Sequence, residues 1–327
     1  MKNVHIIIPE TAVLEAIADP HYTFTAANEF LKSAGKAPLF NVHLVGLKKE
    51  VKLLNNLVSV HPDLQLKEAN NPDLIFIPAL SGDLKTAVDQ NKDFVPWIVH
   101  HYHKGAEVAS LCVGAFLLAS TGLLDGKKCS THWLSANEFR ELYPQVELVD
   151  GSIISDENRI YSSGGANSYW NLLLYLLEKY TDRETAILAS KFFAIDIDRD
   201  SQSKFMMFQG QRNHMDEEIK KIQDYIENNY QEKITIDQLA EKVSLGKRSF
   251  ERRFKKATNN TVVEYIQRVK IEAAKRSMET SRKNISEVMY DVGYTDTKAF
   301  RDVFKKITGL TPIEYMNKYN KQDVVKK

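Results

Sequence analysis

The stretch VASLCVGAFLLASTGLL, residues 108–124, is the longest nearly uncharged run in the chain. Its 17 residues fall short of the ~20 that a membrane-spanning helix needs, and aromatic or basic anchors are not close to both of its ends. EVASLC (107–112) has the pattern of a strand, and VGAFLLASTG (113–122) has that of a helix. The stretch therefore predicts a strand-to-helix junction inside a folded domain, with Cys112 at the joint.

Length and composition are those of a soluble, globular protein. The 327 residues, 43% hydrophobic and 27% charged, suffice for two domains with their own cores. Two cysteines, Cys112 and Cys129, give no disulfide framework, which favours a reducing cytoplasm. The first residues, MKNVHIIIPE, have too short an apolar run for a secretory signal. We expect a cytoplasmic protein with no membrane association.

The front of the chain alternates strand and helix patterns. Helical spacing appears in VPWIVHHYHKG (95–105) and SYWNLLLYLLEKY (168–180), between runs that read as strands. Those runs are VHIII (4–8), FNVHLVGL (40–47), DLIFIPAL (73–80), EVASLC, and QVELVDGSIISD followed by RIYSSGG. Such alternation predicts an α/β sandwich over residues 1–195, with a mostly parallel sheet covered on both faces.

The back of the chain differs in both charge and periodicity. Residues 211–327 hold 25 Lys and Arg against 18 Asp and Glu, although the whole chain has a net charge of only +1. A basic half attached to an acidic half indicates that the back half meets a polyanion. We predict a linker at 196–214, an all-helical domain at 215–320 and a basic tail at 321–327.

An internal repeat lies within the helical half. SFERRFKKATNNTVVEY (249–265) aligns with AFRDVFKKITGLTPIEY (299–315) at an offset of 50, with eight identities that include both phenylalanines and the tyrosine. A short helix pattern and a tight turn precede each copy. A short helix, a turn and a second helix rich in Arg and Lys predict two helix-turn-helix units, at about 235–257 and 285–307.

The spacing of the phenylalanines fixes which side chains face outward. Phe250 and Phe254 are four residues apart and share the buried face, so the basic residues between them point to solvent, as entry into the major groove requires. The predicted DNA-binding residues are Lys247, Arg248, Ser249, Arg252, Arg253 and Lys256 in the first copy and Thr297, Lys298, Arg301 and Lys305 in the second. Asp302 lowers the attraction for phosphate in the second copy, so we expect the first recognition helix to contribute more affinity.

These segments resemble the DNA-binding domain of the AraC/XylS family of transcription regulators. The resemblance is carried by LAEKVSLGKRSFERRFKK, VEYIQRVKIEAAKR and VGYTDTKAFRDVFKKITGLTPIEY. It implies two units that enter successive major grooves of promoter DNA, a homodimer, and possible contact with RNA polymerase. Gly246 stands where the family usually has a capping serine, and glycine is a tolerable N-cap.

The front half resembles the PfpI-like, class I glutamine amidotransferase-like superfamily. The residues that carry this are LCVGAFLLASTGLLDGKKCSTHW, DLIFIPAL and IYSSGGANSYWNLLLYLLE. The order of domains is that of GlxA-type regulators, which fuse such a domain to an AraC-type domain. The resemblance implies a flavodoxin-like sandwich with a pocket at the carboxyl ends of the strands. Cys112 would stand on a strained turn, where a helix N-terminus favours its thiolate.

Chemistry at Cys112 would need a base. Hydrolytic relatives carry a histidine directly after the cysteine, where this chain has Val113, and His132 is the one plausible partner. The family also places a carboxylate near the end of the first strand, and the sequence leaves Glu10 and Glu15 open. The predicted pocket comprises Cys112, Val113, Gly114, His132, Glu10, Glu15, Ser163 and Gly164.

The missing histidine predicts a sensor rather than an enzyme. We expect the front domain to bind a small effector, derived from an amino acid or an amine, without a cofactor. HHYH (100–103) lacks the spacing of a metal site, so no metal is predicted. Two alternatives stay open: a cysteine-dependent hydrolase or amidase that carries a DNA-binding module, and a regulator whose thiol senses oxidants.

Overall fold

The computed structural model describes residues 1–197, 201–208, 210–212 and 214–320. The chain forms two compact units, Met1–Gln202 (unit 1) and Ser203–Lys327 (unit 2). The boundary between them falls inside the segment that the sequence predicts as a linker. The predicted basic tail, 321–327, lies outside the described residues.

Unit 1 is built on a seven-stranded sheet with the order β10-β11-β7-β6-β1-β2-β5. All neighbouring strands are parallel except β10 and β11, which form an antiparallel hairpin at one edge. Two small sheets pair β3 with β4 and β8 with β9. The strands are β1 (Lys2–Ile7), β2 (Phe40–Gly46), β3 (Val51–Leu53), β4 (Val58–Val60), β5 (Leu64–Gln65), β6 (Leu74–Ile77), β7 (Glu107–Ser110), β8 (Lys128–Cys129), β9 (Glu147–Leu148), β10 (Ile154–Glu157) and β11 (Ile160–Ser163).

Helices cover both faces of this sheet, as the alternating pattern predicts. Leu74 and Phe76 of β6 pack into one core with α1, α6 and α7, whereas Ile75 and Ile77 pack into a second core with α2, α3, α4 and α5. Side chains alternate between the faces of a strand, so a strand buried on both sides needs an unbroken apolar run. The helices of unit 1 are α1 (Glu15–Ser33), α2 (Leu84–Gln90), α3 (Val95–His103), α4 (Ala115–Ala119), α5 (Ala136–Leu142), α6 (Tyr169–Tyr180) and α7 (Arg183–Phe193).

The helix predicted after Cys112 is shorter than the sequence pattern suggests. A single 3-10 turn, Cys112–Gly114, leads into α4, which ends at Ala119. All five residues of α4 are buried in the second core. A helix this short has little stability of its own, so tertiary packing stabilises the segment. In the described part of the chain, no helix is long and apolar enough to cross a membrane.

Unit 2 is helical throughout its described residues and contains two separate apolar cores. The first lies under α8, α9, α10 and the start of α11, and the second under the rest of α11 with α12, α13 and α14. The helices are α8 (Glu217–Asn228), α9 (Ile236–Lys242), α10 (Lys247–Thr258), α11 (Val262–Thr280), α12 (Ile285–Asp291), α13 (Thr297–Thr308) and α14 (Pro312–Tyr319).

The sequence repeat becomes a repeat of aromatic geometry. The rings of Phe250 and Phe254 lie 5.7 Å apart, and the rings of Phe300 and Phe304 lie at the same distance. The second phenylalanine of each pair meets a tyrosine edge-on, at 5.3 Å in the first copy and 5.4 Å in the second. Each copy therefore has its own aromatic core, and the two helix-turn-helix units can hold their shapes independently.

A core substitution in unit 2 tests whether the two units of the chain unfold independently. Phe304→Ala removes a fully buried ring, and we expect the free energy of unfolding of unit 2 to fall by about 3–5 kcal/mol. All three tryptophans lie in unit 1, so the urea transition followed by circular dichroism should shift while that followed by tryptophan fluorescence stays in place. The exposed Tyr290→Ala should cost about 0.5 kcal/mol or less. A fluorescence transition that shifts equally would contradict independent unfolding of the two units.

Candidate functional site: a thiol turn in unit 1 and a basic surface in unit 2

The turn after β7 places Cys112 in a strained backbone conformation. Its φ is +55°, in the left-handed region, which costs a non-glycine residue about 1–3 kcal/mol. Two hydrogen bonds hold the residue there. Its backbone N–H donates to Ser163 Oγ at 3.2 Å, and Thr131 Oγ1 donates to its carbonyl oxygen at the same distance.

Gly114 allows this turn to pack against the neighbouring strand. A Cβ at this position would lie 2.6 Å from the carbonyl oxygen of Ile77 and 2.5 Å from that of Pro78. Both atoms belong to the backbone at the end of β6, which cannot move aside without breaking the sheet. The close approach therefore requires glycine.

Burial decides the electrostatics of the thiol. Cys112 is 6% exposed, and desolvation raises its pKa to about 11, although a hydrogen bond from the Val113 N–H partly opposes the shift. The expectation that a helix N-terminus would favour the thiolate is wrong, because the five-residue α4 is too short to outweigh the loss of water. The thiol is neutral near pH 7.

His132 lies three residues after β8 and is oriented by its own turn. Its Nδ1 accepts a hydrogen bond from the Leu134 N–H at 3.1 Å, and its ring stacks on Trp133. Among the described residues, the thiol of Cys112 shares no hydrogen bond with this ring. The structure does not assemble a cysteine–histidine pair.

One partly buried carboxylate, Asp19, was missed by the sequence analysis. Glu10 pairs with Lys48 at 2.5 Å, and Glu15 is exposed in the first turn of α1. Asp19, one helical turn after Glu15, accepts a hydrogen bond from the Tyr169 hydroxyl at 2.6 Å and another from Trp170. The i, i+4 spacing from Glu15 was the available signal, but only the packing of α6 against α1 singles out Asp19.

Asp19 is linked to the cysteine through the same tyrosine. The Tyr169 hydroxyl that binds Asp19 is also within electrostatic range of Cys112, and both Tyr169 and Cys112 belong to one apolar cluster. Partial burial raises the pKa of Asp19, and its two hydrogen bonds only partly offset this. Among the described residues, no Lys, Arg or His forms an ion pair with it.

The last two predicted pocket residues lie at the end of β11: Ser163 is its final residue and Gly164 follows it. Ser163 is fully buried and contacts Cys112, as described above. Gly164 faces the side chain of Gln202, another residue that sequence reasoning did not find. The structure thus brings Cys112, Gly114 and Ser163 together and gives Glu10 and His132 other partners.

The predicted DNA-binding residues of α10 form one basic surface. All six are exposed, and a cleft of about 490 Å³ is lined by Leu245, Ser249, Arg252, Arg253 and Lys256. Two of the six are engaged in ion pairs: Arg253 binds Asp216 through two nitrogens, and Lys247 lies 3.2 Å from Asp237. Arg248, Arg252 and Lys256 form no ion pair within the described part of the chain.

The corresponding surface of α13 is less basic. Thr297, Lys298, Arg301 and Lys305 are all exposed, while Asp296 caps the helix by accepting from the Ala299 N–H. Arg301 Nε lies 3.8 Å from Asp302. The helix carries four Lys and Arg, compared with six in α10, and each helix has one acidic residue.

Comparison with known families agrees with this arrangement. Residues 17–179 match the DJ-1/PfpI family, and residues 239–318 match a helix-turn-helix domain. The chain joins a DJ-1/PfpI domain to an AraC-type helix-turn-helix domain. This confirms both the family and the fold class that the sequence predicts, a flavodoxin-like α/β domain followed by a helical one.

Two relatives that cover more than four fifths of the chain are named transcription regulators. The HTH-type transcriptional regulator GbdR of Pseudomonas aeruginosa is 24% identical over 280 residues, which cover 84% of this chain and 74% of that protein. CdhR of the same species is 23% identical over 292 residues, covering 88% and 86%. A crystal structure described as a transcriptional regulator of Vibrio parahaemolyticus has a TM-score of 0.53 at 23% identity and covers 58% of this chain and 98% of that one.

The DJ-1/PfpI–AraC-type chain is therefore a DNA-binding transcription regulator, as predicted, and its macromolecular partner is promoter DNA. The positions that contact the DNA remain predictions. No cluster of three or more His, Cys, Asp or Glu within the described residues is placed to hold a metal ion.

Alkylation tests the state of the thiol. The pKa of Cys112 rises from an ordinary 9.0 to about 11, so its thiolate fraction at neutral pH is about 100-fold below that of an exposed cysteine. Iodoacetamide at pH 7 should leave Cys112 of the native protein unlabelled, as detected by mass spectrometry. Cys112 should become labelled once the protein is unfolded in urea. Cys129, whose burial is still deeper, is the internal control. Rapid labelling of native Cys112 would restore the redox-sensing alternative.

Paired substitutions compare the two recognition helices. We expect Arg252→Ala to weaken binding to a DNA duplex selected by the full chain more than Arg301→Ala, because Asp302 already offsets the charge of Arg301. Removing a base contact should cost about 1–3 kcal/mol, measured by fluorescence anisotropy at fixed salt. Glu251→Gln on the same helix controls for a change of charge alone. Equal losses of DNA affinity in the two arginine variants would contradict a larger contribution from the first recognition helix.

Proposed function

We propose that the DJ-1/PfpI domain senses a small cationic metabolite, an amine or alkylammonium compound, and that its occupancy controls binding of the promoter. The observation that carries the proposal is Asp19, a partly buried carboxylate that binds Tyr169 and forms no ion pair within the described residues. Tyr169 in turn lies in the same apolar cluster as Cys112. The domain, predicted to span residues 1–195, acts without turning its ligand over.

The surroundings of Asp19 favour a cation. Burial removes part of the hydration free energy that stabilises a charged carboxylate. Hydrogen bonds replace some of this free energy, and a nearby positive charge replaces more of it. Aromatic side chains lie around it: Tyr169 and Trp170 donate to it, and the Trp170 ring packs 4.7 Å from Phe193. Aromatic faces attract ammonium groups, and a neutral thiol nearby adds no competing charge.

The same features argue against a hydrolase. A cysteine nucleophile needs a thiolate and a base that returns the proton to the leaving group. Here burial keeps the Cys112 thiol protonated, and the ring of His132 is held by the Leu134 N–H. The proposal therefore assigns Cys112 to the wall of the effector site.

We propose that DNA is bound by the two helix-turn-helix units. α10 and α13 read successive major grooves of a promoter, with the first helix supplying more of the affinity. We further propose that the regulator acts as a homodimer in the cytoplasm, and that the bound form influences RNA polymerase at the promoter. The duplicated aromatic cores support two DNA-binding helix-turn-helix units in each chain.

Calorimetry with a matched pair of probes tests the effector class. Choline carries an alkylammonium group, and its carbon isostere dimethylbutanol has nearly the same shape without the charge. We expect the full chain to bind choline and to bind dimethylbutanol about ten-fold or more weakly. Asp19→Asn should abolish this preference, because it keeps the hydrogen-bonding shape and removes the charge.

The control is Glu29→Gln, which removes a charge from an exposed position on the same helix, where Glu29 pairs with Lys32. It should leave choline binding unchanged. Equal affinity for the two probes, or no binding of choline and simple amines at millimolar concentration, would overturn the cationic effector.

A further inference from the structure

Gln202 enters unit 1 as a side chain from the segment that leads into the DNA-binding unit. It is 3% exposed, and its Nε2 donates to the carbonyl oxygens of Thr131 at 3.1 Å and Ser152 at 2.7 Å. Its Oε1 accepts from the Trp133 N–H at 3.4 Å, and its own N–H donates to Gly151 at 2.7 Å. The polar atoms of this carboxamide are thus satisfied by loops of unit 1.

Two glycines make room for it. A Cβ on Gly164 would lie 1.8 Å from the Nε2 of Gln202, and one on Gly165 would lie 3.3 Å from its Oε1. Gly165 also has a φ of +79°, which few other residues adopt. The two glycines that follow β11 therefore form a cradle for a side chain nearly 40 positions further along the chain.

Thr131 connects this cradle to the candidate effector site. Its hydroxyl donates to the carbonyl oxygen of Cys112, while its own carbonyl oxygen accepts from Gln202. A change at the Cys112 turn that displaces Thr131 must also disturb the anchoring of Gln202. Thr131 is 4% exposed, so water cannot easily replace either hydrogen bond.

A few residues after Gln202, the chain is bound again, now within unit 2. Lys275 Nζ donates to the carbonyl oxygen of Met206 at 2.6 Å, and Glu272 accepts from the Phe208 N–H at 3.0 Å. Lys275 and Glu272 form a buried ion pair at 2.7 Å on α11, the helix that joins the two helix-turn-helix units. The segment 201–208, termed the strap, thus begins with a residue bonded within unit 1 and continues with residues bonded within unit 2.

We propose that the strap is the element through which the effector site controls DNA binding, with Gln202 as its releasable anchor. In the docked state Gln202 occupies the Gly164–Gly165 cradle. Effector binding at the Cys112 turn displaces Thr131, and Gln202 then leaves the cradle. This mechanism rests on the proposed sensing function. A two-state element biased by one site and covalently continuous with the other is what coupling between sites requires.

Substitution of the anchor tests the strap in the full chain. Gln202→Glu keeps the size of the side chain but turns an oxygen toward two carbonyl oxygens, and Gln202→Ala removes the carboxamide. Both variants should shift the Kd for a selected DNA duplex by about five-fold or more without any effector, toward the value that choline produces in the wild type. They should still bind choline, but choline should no longer change their affinity for DNA.

Two matched variants complete the experiment. Gln90→Ala removes an exposed glutamine from α2 of the same unit and should behave as wild type. Thr131→Val keeps the carbonyl oxygen that binds Gln202 but loses the hydroxyl that reaches Cys112. It should therefore show a normal DNA Kd without effector and a reduced response to choline.

The outcomes separate this mechanism from the identity of the effector. An unchanged DNA Kd in both Gln202 variants, with circular dichroism and tryptophan fluorescence confirming folded units, refutes the strap. Failure of the wild type to bind choline refutes the cationic effector alone, because the effector-free shift in DNA affinity still reports on the strap. Should Gln202→Glu unfold, Gln202→Ala at low temperature gives the same readout.

Discussion

The close contact between the turn after β7 and the end of β6 is the constraint on which the functional part of unit 1 depends. Only glycine at position 114 lets the two backbones meet, and two residues earlier Cys112 adopts a left-handed conformation. Ser163 and Thr131 stabilise that conformation by bonding to the Cys112 backbone. The loops that hold the turn are also the loops that receive Gln202, so strain at the cysteine and anchoring of the strap belong to one network.

Desolvation gives this site its chemical character. Enclosure by apolar side chains outweighs the short helix behind Cys112 and keeps the thiol neutral, whereas Asp19 retains a partly buried carboxylate between aromatic donors. Within the described residues Asp19 forms no ion pair, and a neutral thiol is a poor nucleophile.

Unit 2 shows how a local pattern can specify a structure completely. The i, i+4 phenylalanines and the following tyrosine recur at one offset, and the same edge-on ring contacts form in both copies. Capping boxes at Thr261 and Thr311 begin the helix that follows each recognition helix. Every basic residue of α10 and α13 that the sequence predicts to face solvent is exposed in the structure. Helical periodicity alone fixes which side of each helix faces the core.

The sequence by itself determined the fold class, the two helix-turn-helix units and the position of Cys112 at a strand end, since each depends on periodicity or spacing within a short segment. Tertiary structure alone bonded Asp19 to Tyr169, paired Glu10 with Lys48 and Arg253 with Asp216, raised the pKa of the thiol, and placed Gln202 against Gly164. These features depend on which distant segments pack together and how much water they exclude. Neither quantity is encoded in the spacing of neighbouring residues, so both emerge only when the chain is folded.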